Sequence, residues 1–224
     1  MIKGDIRFQW KYGFYYIYAL MVLLYLGILS SLSGNVKEMV GHIMVYSDPA
    51  AMGMFFMGAI VLLEKSQRVL NSIAVSPVSP MEYVIGKLCS IGSISLLVAL
   101  LLLESVGIKN LALTICGIVF ASFVFTLCGI IVGTKINSLT GYIVGTVPFE
   151  IVGFLPPIAK RLGVINDNAL LLLHPGCAQM QLLEGNTEYL MISMISNIVW
   201  VFILFIIARK CVGHMFQSVG GVKL

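Results

Sequence analysis

Six apolar stretches of the chain are each about 20 residues long, the length that a helix needs to cross the hydrocarbon core of a membrane. They cover residues 14–32, 40–63, 81–103, 111–132, 140–157 and 189–208. The chain has 59% hydrophobic and 11% charged residues, whereas soluble domains carry about 25% charged residues. A soluble fold of this chain would lack a polar surface. The sequence therefore predicts an all-α polytopic membrane protein, with six transmembrane helices in a single domain over residues 1–224.

Two of the six stretches carry residues that disrupt helices. Asp48-Pro49 interrupts the second stretch. Either a kinked helix begins before this pair, or a shorter helix begins at it, with Asp48 as the N-cap and Pro49 in the first turn. The fifth stretch contains Pro148 and several glycines, so we expect it to break near its outer half, where neighbouring protein can satisfy the freed backbone groups.

Glu150 is the carboxylate that this layout places well inside a span. An ionisable residue within a membrane is a functional candidate, because leaving a charge in lipid is costly. Glu150 either contacts a cationic part of a substrate or braces the broken fifth helix. If it lies near the outer headgroups, access to water explains it without a further role.

The basic residues indicate how the chain is oriented in the membrane. With the N-terminus inside, ten of the 14 basic residues fall on the cytoplasmic side. These are Lys3, Arg7, Lys11, Lys65, Arg68, Lys87, Lys135, Arg209, Lys210 and Lys223. Lys37, Lys109, Lys160 and Arg161 remain on the outer side. Because cytoplasmic loops carry an excess of Lys and Arg, the sequence predicts that both termini are cytoplasmic.

The longest polar stretch on the predicted cytoplasmic side lies between the second and third spans, and we call it the inner polar segment (residues 64–83). Its first part has apolar residues at three- and four-residue spacing, which predicts an amphipathic helix over residues 64–76. The apolar positions are Val69, Leu70, Ile73 and Ala74. Such a helix either rests on lipid headgroups or stands out of the bilayer, where a soluble protein can contact it.

The second part of the inner polar segment contains signals that end one helix and begin the next. Pro77 disfavours helical geometry at Ser76 and ends the first helix there. Ser79 as N-cap and Glu82 at the third helical position form a capping box, with Pro80 at the first helical position. We therefore expect the third span to begin at a fixed point, with the preceding helix held at an angle to it.

Two further segments are predicted to be helical outside the six spans. Residues 1–12 carry a basic side chain every four residues among apolar ones, which is typical of an amphipathic helix lying on the membrane surface. The long outer loop, residues 158–188, contains an apolar run at residues 169–173. Because that run is too short to span a membrane, we expect a re-entrant or interfacial helix there.

The sequence lacks the motifs of several classes of enzyme. It contains no G-x-x-x-x-G-K-[ST] phosphate-binding loop and no H-E-x-x-H zinc motif. Its five cysteines include no C-x-x-C pair, so they indicate neither a disulfide framework nor a zinc site, and Cys177 alone is predicted to lie on the outer side. We therefore expect no catalytic residues, no metal, no cofactor and no ATP site in this chain, and no binding of nucleic acid.

The inner polar segment resembles the corresponding segment of ABC-2 type permeases, the membrane subunits of many bacterial exporters. The resemblance is carried by Glu64-Lys65, Leu70, the stretch Val-Ser-Pro-Val-Ser-Pro-Met-Glu-Tyr at residues 75–83, and Gly86-Lys87. It extends to the six-span layout and to the Pro156-Pro157 and His174-Pro175 pairs. The family's Gly-Thr pair after the charged residues is replaced here by Ser66-Gln67-Arg68-Val69. Within the family, the chain looks most like the small drug-export permeases, including those named for fluoroquinolone export.

The resemblance implies a permease subunit of an ABC transporter that exports amphipathic or hydrophobic substrates, as in multidrug efflux. The cargo would be a drug-like compound, a lipid or a peptide, moved by alternating access across a bacterial cytoplasmic membrane. The implied partners are two copies of a separate ATPase, which would bind ATP and Mg²⁺, and a second copy of this chain or a related permease. A non-transporting membrane immunity or sensor subunit and a membrane-embedded enzyme are the alternatives.

The resemblance also assigns roles to segments and residues. Residues 64–76 would be a cytoplasmic coupling helix that the ATPase contacts, and the N-terminal helix would be an elbow helix. The implied coupling residues are Glu64, Lys65, Arg68, Val69, Leu70, Ser79 and Glu82. Glu150 is the candidate for the substrate pathway.

Overall fold

The structure is a computed structural model that describes residues 2–74, 76–106, 109–165 and 168–220, and every regular element in these ranges is helical, as the sequence predicts. The α-helices of the described ranges are α1 (Ile2–Lys11), α2 (Phe14–Ser30), α3 (Gly34–Ala51), α4 (Met57–Ser66), α5 (Val69–Ala74), α6 (Pro80–Val106), α7 (Leu111–Lys135), α8 (Leu139–Arg161), α9 (Pro175–Leu183) and α10 (Leu190–Gly220). A π-helical turn (Met52–Phe56) joins α3 to α4, and a 3-10 helix (Ala169–Leu173) precedes α9. Val75 of the inner polar segment and Lys223 lie outside the described residues.

In the described part of the chain, five helical segments are long and apolar enough to cross a membrane, and they contain the second to sixth predicted spans. They are Gly34–Ser66, Pro80–Leu103, Leu111–Lys135, Leu139–Arg161 and Leu190–Ser218. The first predicted span lies on α2, which meets α1 at a bend of 71°, and these two helices form a sixth such segment if they are taken together. The chain is therefore an all-helical, multi-pass membrane protein with five to six spans.

The second span begins well before Asp48, which decides between the two alternatives that the sequence leaves open. α3 runs through Pro49, the π-helical turn follows, and α4 continues to Ser66. Proline has no N–H to donate, and a π-helical turn is one way in which a long helix absorbs such an irregularity. A Cβ on Gly53 in this turn would lie 2.6 Å from the backbone nitrogen of Thr126 in α7. Only glycine allows the two helices to approach this closely.

α7 is the central helix of the bundle. It contacts α3, α4, α6, α9 and α10 as well as the π-helical turn, and most of its residues are buried. Gly129 lies against the carbonyl of Gly53, and Gly133 lies against Val61, as expected for small residues where helices pack closely. α8 and α10, in contrast, expose large apolar faces that lipid or another protein must cover.

The predicted break in the fifth span is wrong, because α8 is continuous through its prolines. Pro156-Pro157 leaves the carbonyls of Val152 and Gly153, four residues earlier, without their helical donors. Side chains of other elements supply these bonds: the hydroxyl of Tyr46 donates to the carbonyl oxygen of Gly153 at 2.9 Å, and the ring of His174 hydrogen-bonds the carbonyl of Val152. α8 therefore remains helical where its own backbone cannot complete the hydrogen-bond ladder.

The outer loop folds into the bundle as a hairpin, which we call the outer hairpin (residues 169–183). The apolar run at its start is helical as predicted, but α9, which follows it, is an element that the sequence did not predict. Eight of the nine residues of α9 are buried, including Cys177. A Cβ on its second residue would lie 2.7 Å from the carbonyl oxygen of Gly153, in the middle part of α8. The carbonyl of Leu183, at its end, accepts a hydrogen bond from Thr114 near the N-terminal end of α7. The outer hairpin therefore enters the bundle and returns to the side from which it came.

Candidate functional site

The inner polar segment forms the last turn of α4, a sharp turn, the short helix α5 and the start of α6. α4 does not end before Glu64 but continues to Ser66, and Arg68 then adopts the left-handed conformation with φ 56°. Positive φ is uncommon for a residue other than glycine, and here it changes the direction of the chain. The single helix predicted over residues 64–76 is therefore two elements, because the Arg68 turn separates them.

The capping box predicted at the start of the third span is confirmed. The backbone N–H of Ser79 donates to Oε2 of Glu82 at 2.7 Å, and the backbone N–H of Glu82 donates to Oγ of Ser79 at 3.2 Å. The two side chains satisfy backbone donors that the first turn of a helix otherwise leaves unpaired. α6 therefore begins at Pro80, as the sequence predicts.

Four buried side chains form a hydrogen-bonded group where α1, α4 and α6 meet, and we call it the inner ion cluster (Asp5, Glu64, Tyr83 and Lys87). Lys87 Nζ donates to Oδ1 of Asp5 at 2.6 Å and to Oε1 of Glu64. The hydroxyl of Tyr83 donates to the other carboxylate oxygen of Glu64 at 2.6 Å. Lys87 is 1% exposed and Glu64 is 4% exposed. The cluster is therefore sealed from solvent and joins three helices.

The N-terminal helix is attached to the bundle by more than the ion pair. The amide of Gln9 donates to the hydroxyl of Ser90 at 2.8 Å, one turn further along α6, and both side chains are buried. Removing one partner from a buried ion pair costs about 3–5 kcal/mol, because the remaining charge stays buried without compensation. α1, α4 and α6 are therefore fixed to one another at this end of the bundle.

Lys65 joins the same region to the central helix. Its Nζ donates to the carbonyl oxygens of Gly133, Thr134 and Ile136, at 2.9, 3.0 and 2.8 Å, and to Oδ1 of Asn137 at 3.0 Å. These acceptors lie at the C-terminal end of α7, where unpaired carbonyls and the helix dipole favour a positive charge. The last turn of α4 is therefore attached to α6 through Glu64 and to α7 through Lys65.

The seven residues predicted to contact an ATPase divide into buried and exposed groups. Glu64 and Leu70 are buried and Lys65 is half-buried, with its ammonium group bonded within the chain. The carboxylate of Glu64 is enclosed by Lys87 and Tyr83 and does not lie at the surface. Of the seven, Arg68, Ser79 and Glu82 are exposed and Val69 is half-buried.

Asp5 and Lys87 are cluster residues that the sequence analysis did not select as site residues. Asp5 is the one acidic residue among residues 1–12, and Lys87 lies two turns inside the third span. A charge inside a span needs a partner, which is a signal for Lys87 in the sequence. Nothing in the sequence specifies that its partners are Asp5 and Glu64, which come from two other helices.

Glu150 lies on α8, away from the inner ion cluster. Its side chain is half-buried, and its Oε1 atom is buried without a hydrogen-bond partner in the described part of the chain. The structure does not bring it together with any of the predicted coupling residues. Among the described residues, no three or more His, Cys, Asp or Glu side chains are grouped so that they could hold a metal ion.

One comparison with known proteins identifies a family for this sequence. The model of the fluoroquinolones export permease protein family matches residues 1–216, nearly the whole of the 224-residue chain. The match includes all the helices that meet at the inner ion cluster as well as the outer hairpin. No curated protein is significantly similar to the chain.

Proposed function

Because the chain belongs to the fluoroquinolones export permease protein family, we propose that it is the membrane subunit of an ATP-driven exporter of amphipathic or hydrophobic compounds. A separate ABC ATPase, in two copies, would bind ATP and Mg²⁺ and supply the energy. The observation that carries this proposal is the way in which the inner polar segment is attached. A segment that transmits force must be exposed at one surface and firmly fixed at the other, and this one is both.

The proposed mechanism begins at the exposed surface around Arg68. The ATPase contacts this surface of the coupling helix, which corresponds to α5 and the turn before it. Movement of that turn passes into α4 directly and into α6 through the capping box of Ser79 and Glu82. Since Lys87 holds α1, α4 and α6 together and Lys65 holds α4 to α7, these helices move as one unit. ATP binding would open the interior outward, and hydrolysis would reset it.

We further propose that two copies of the chain, or this chain and a related permease, assemble in the bacterial cytoplasmic membrane with both termini inside. Closed two-fold assemblies are the commonest form of homo-oligomer. The exposed apolar residues of α8 that do not line a cavity include Val144, Ile151 and Leu155. They provide a surface that a second copy could cover, and the remaining exposed faces would contact lipid. Glu150 would lie along the substrate pathway beside this surface.

The proposal is tested by reversing the charge of Arg68 in the purified complex with the ATPase encoded beside this chain. Arg68→Glu is expected to weaken ATPase association and fluoroquinolone transport about tenfold. It replaces a positive charge by a negative one, and charges that do not complement the partner surface weaken binding. Association is measured by co-purification in detergent, and transport is measured in inverted vesicles. Lys109→Glu is the matched control, since Lys109 is also exposed and its ion pair with Glu38 is long, at 3.7 Å.

Three results would contradict the proposal. If Arg68→Glu retains both association and transport, the coupling role of this surface is wrong. If the wild-type chain binds no ATPase at all, a non-transporting membrane immunity or sensor subunit becomes the better description. If the control variant loses as much activity as Arg68→Glu, the effect is not specific to the inner polar segment.

A further inference from the structure

A cavity of about 350 Å³ lies within the bundle, and we call it the lateral pocket. α8 and α10 form its sides, α7 and Tyr46 of α3 lie at its base, and the first turn of α9 closes one end. Four aromatic side chains line it: Tyr46, Phe125, Phe149 and Trp200. The volume falls in the range of about 300–1,000 Å³ that is typical of sites for small organic molecules.

The lateral pocket opens on the side of the bundle, where three of its lining residues are exposed. Phe149, Val152 and Trp200 line it and are also exposed on the outer surface, with Val152 61% exposed. These residues lie in the middle parts of α8 and α10, both of which are predicted spans. A compound dissolved in the membrane would therefore reach the pocket directly.

Buried polar groups of the outer hairpin face this apolar space. Gln179 is completely buried and lines the pocket, and in the described part of the chain neither its amide nitrogen nor its amide oxygen has a hydrogen-bond partner. Nδ1 of His174 is buried and also unpartnered among the described residues. Buried polar side-chain atoms in folded proteins nearly always have a partner. These atoms therefore indicate a ligand that carries hydrogen-bonding groups of its own.

The walls of the lateral pocket are fixed by hydrogen bonds to the backbone. Trp200 Nε1 donates to the carbonyl oxygen of Leu173 at 2.9 Å, which joins α10 to the outer hairpin. Tyr46 donates to Gly153, and His174 hydrogen-bonds Val152, so two lining residues hold α8 in place. A site that is already shaped loses less conformational entropy when a ligand binds.

We propose that the lateral pocket binds an aromatic amphiphile, a planar ring compound with a carboxyl or amide group, with its rings among the aromatic side chains and its polar group against Gln179 and His174. The first turn of α9 lines the same place, and the positive end of a helix dipole favours the oxygen atoms of such a group. A lipid acyl chain could fill the volume, but it would leave the Gln179 amide unpaired, which makes it the weaker occupant. This inference rests on the proposed export function and names the place where the cargo is held.

The test is a binding titration on the full-length chain in nanodiscs, without the ATPase. The chain has two tryptophans, so Trp10→Phe leaves Trp200 as the single fluorescent reporter in the pocket. Trp10 is 63% exposed, so this replacement is expected to leave the fold intact. Norfloxacin, an aromatic keto acid, should quench Trp200 saturably. In this background, Gln179→Leu should raise the Kd for norfloxacin about tenfold, because it removes the polar contacts and leaves the shape nearly unchanged.

A second variant tests the mouth of the pocket without altering its interior. Val152→Trp places a large side chain at the opening and should abolish saturable binding of norfloxacin, measured by a radiolabelled ligand so that the added tryptophan does not interfere. Leu97→Trp is the matched control, because Leu97 lies in the predicted span of α6, is 63% exposed and does not line the pocket. Binding that survives Val152→Trp and Gln179→Leu unchanged would overturn the proposal.

The remaining outcomes separate this inference from the proposed function. If brominated acyl chains quench Trp200 and radiolabelled norfloxacin shows no saturable binding, the occupant is lipid and the proposal is wrong. Binding in the pocket of a chain that associates with no ATPase would support the site while refuting ATP-driven export. Transport that persists in Val152→Trp would leave the export function standing and refute the pocket.

Discussion

Lys87 lies between two carboxylates, and its burial determines what a substitution there would do. The contribution of a buried ion pair to net stability is small, because desolvation of the charges offsets their attraction. Loss of one member is costly all the same, since the other charges remain buried. The inner ion cluster therefore contributes mainly by allowing a single arrangement of α1, α4 and α6. We offer this as a hypothesis, motivated by its three-helix geometry.

Lys87→Met is expected to lower the free energy of unfolding by about 3–5 kcal/mol, because it leaves Asp5 and Glu64 buried without a counter-ion. The measurement is denaturant unfolding of the purified protein in detergent. Lys109→Met is the control, since its exposed side chain makes a long, 3.7 Å ion pair with Glu38, and exposed pairs contribute about 0–1 kcal/mol. Adding Glu64→Gln to Lys87→Met should recover part of the loss. Equal stability of the two single variants would show that the cluster is not formed.

The contrast between two groups of polar residues shows what the sequence can specify at this scale. The capping box of Ser79 and Glu82 was predicted and confirmed, because its partners are three residues apart and their geometry follows from the helix itself. Asp5 and Lys87 are 82 residues apart. Their contact depends on how whole helices pack, and neither spacing nor residue type indicates it.

At the scale of helices, α8 depends on its neighbours to remain helical. Its Pro156-Pro157 pair removes two backbone donors, and the carbonyls set free are bonded by Tyr46 of α3 and by His174 of the outer hairpin. The same two side chains line the lateral pocket. The bonds that repair the helix therefore also shape the pocket.

Tyr46→Phe is expected to destabilise the fold by about 1–3 kcal/mol, because it leaves the half-buried carbonyl of Gly153 without a donor. Adding Pro157→Ala restores a backbone N–H four residues after Gly153, so the double variant should recover most of the loss. The measurement is the same denaturant unfolding in detergent. Tyr16→Phe serves as the control, since Tyr16 is 71% exposed. If the double variant is no more stable than Tyr46→Phe alone, this account of how α8 stays continuous is wrong.

Contacts between distant parts of the chain keep α8 helical, and the same kind of contact explains the helices that the sequence predicted wrongly. The six spans follow from apolar length, which is a local property, and the structure places each of them on a helix. The break predicted in α8 and the omission of α9 are failures of local reasoning. α9 is short and contains Gln179 and Gln181, so its sequence resembles a loop. It is stable because α7, α8 and α10 surround it, and that cannot be seen along the chain.

At the scale of the whole molecule, one long segment connects the two regions described above. The segment Gly34–Ser66 carries Tyr46, at the base of the lateral pocket, and Glu64, in the inner ion cluster. The two residues are 18 positions apart (64 − 46), or about 27 Å along a helix at 1.5 Å per residue. At the π-helical turn between them, Gly53 packs against α7. A displacement at the inner end can therefore reach the pocket through a single helical segment, which is our hypothesis for how ATP hydrolysis would alter binding.

The hypothesis requires the inner polar segment to face the cytoplasm, and cysteine labelling can test that orientation. In a background with all five native cysteines replaced, Arg68→Cys and Lys109→Cys each introduce one thiol at an exposed position, on opposite sides in the predicted topology. A membrane-impermeant maleimide added to intact cells should label Lys109→Cys and not Arg68→Cys. In inverted vesicles the reagent should label Arg68→Cys and not Lys109→Cys. The reason is that ten of the 14 basic residues, Arg68 among them, lie on the predicted cytoplasmic side. The background without cysteines controls for non-specific labelling, because it should not react. Labelling of Arg68→Cys from outside intact cells would place the inner polar segment beyond the reach of a cytoplasmic ATPase, and coupling through that segment would then be impossible.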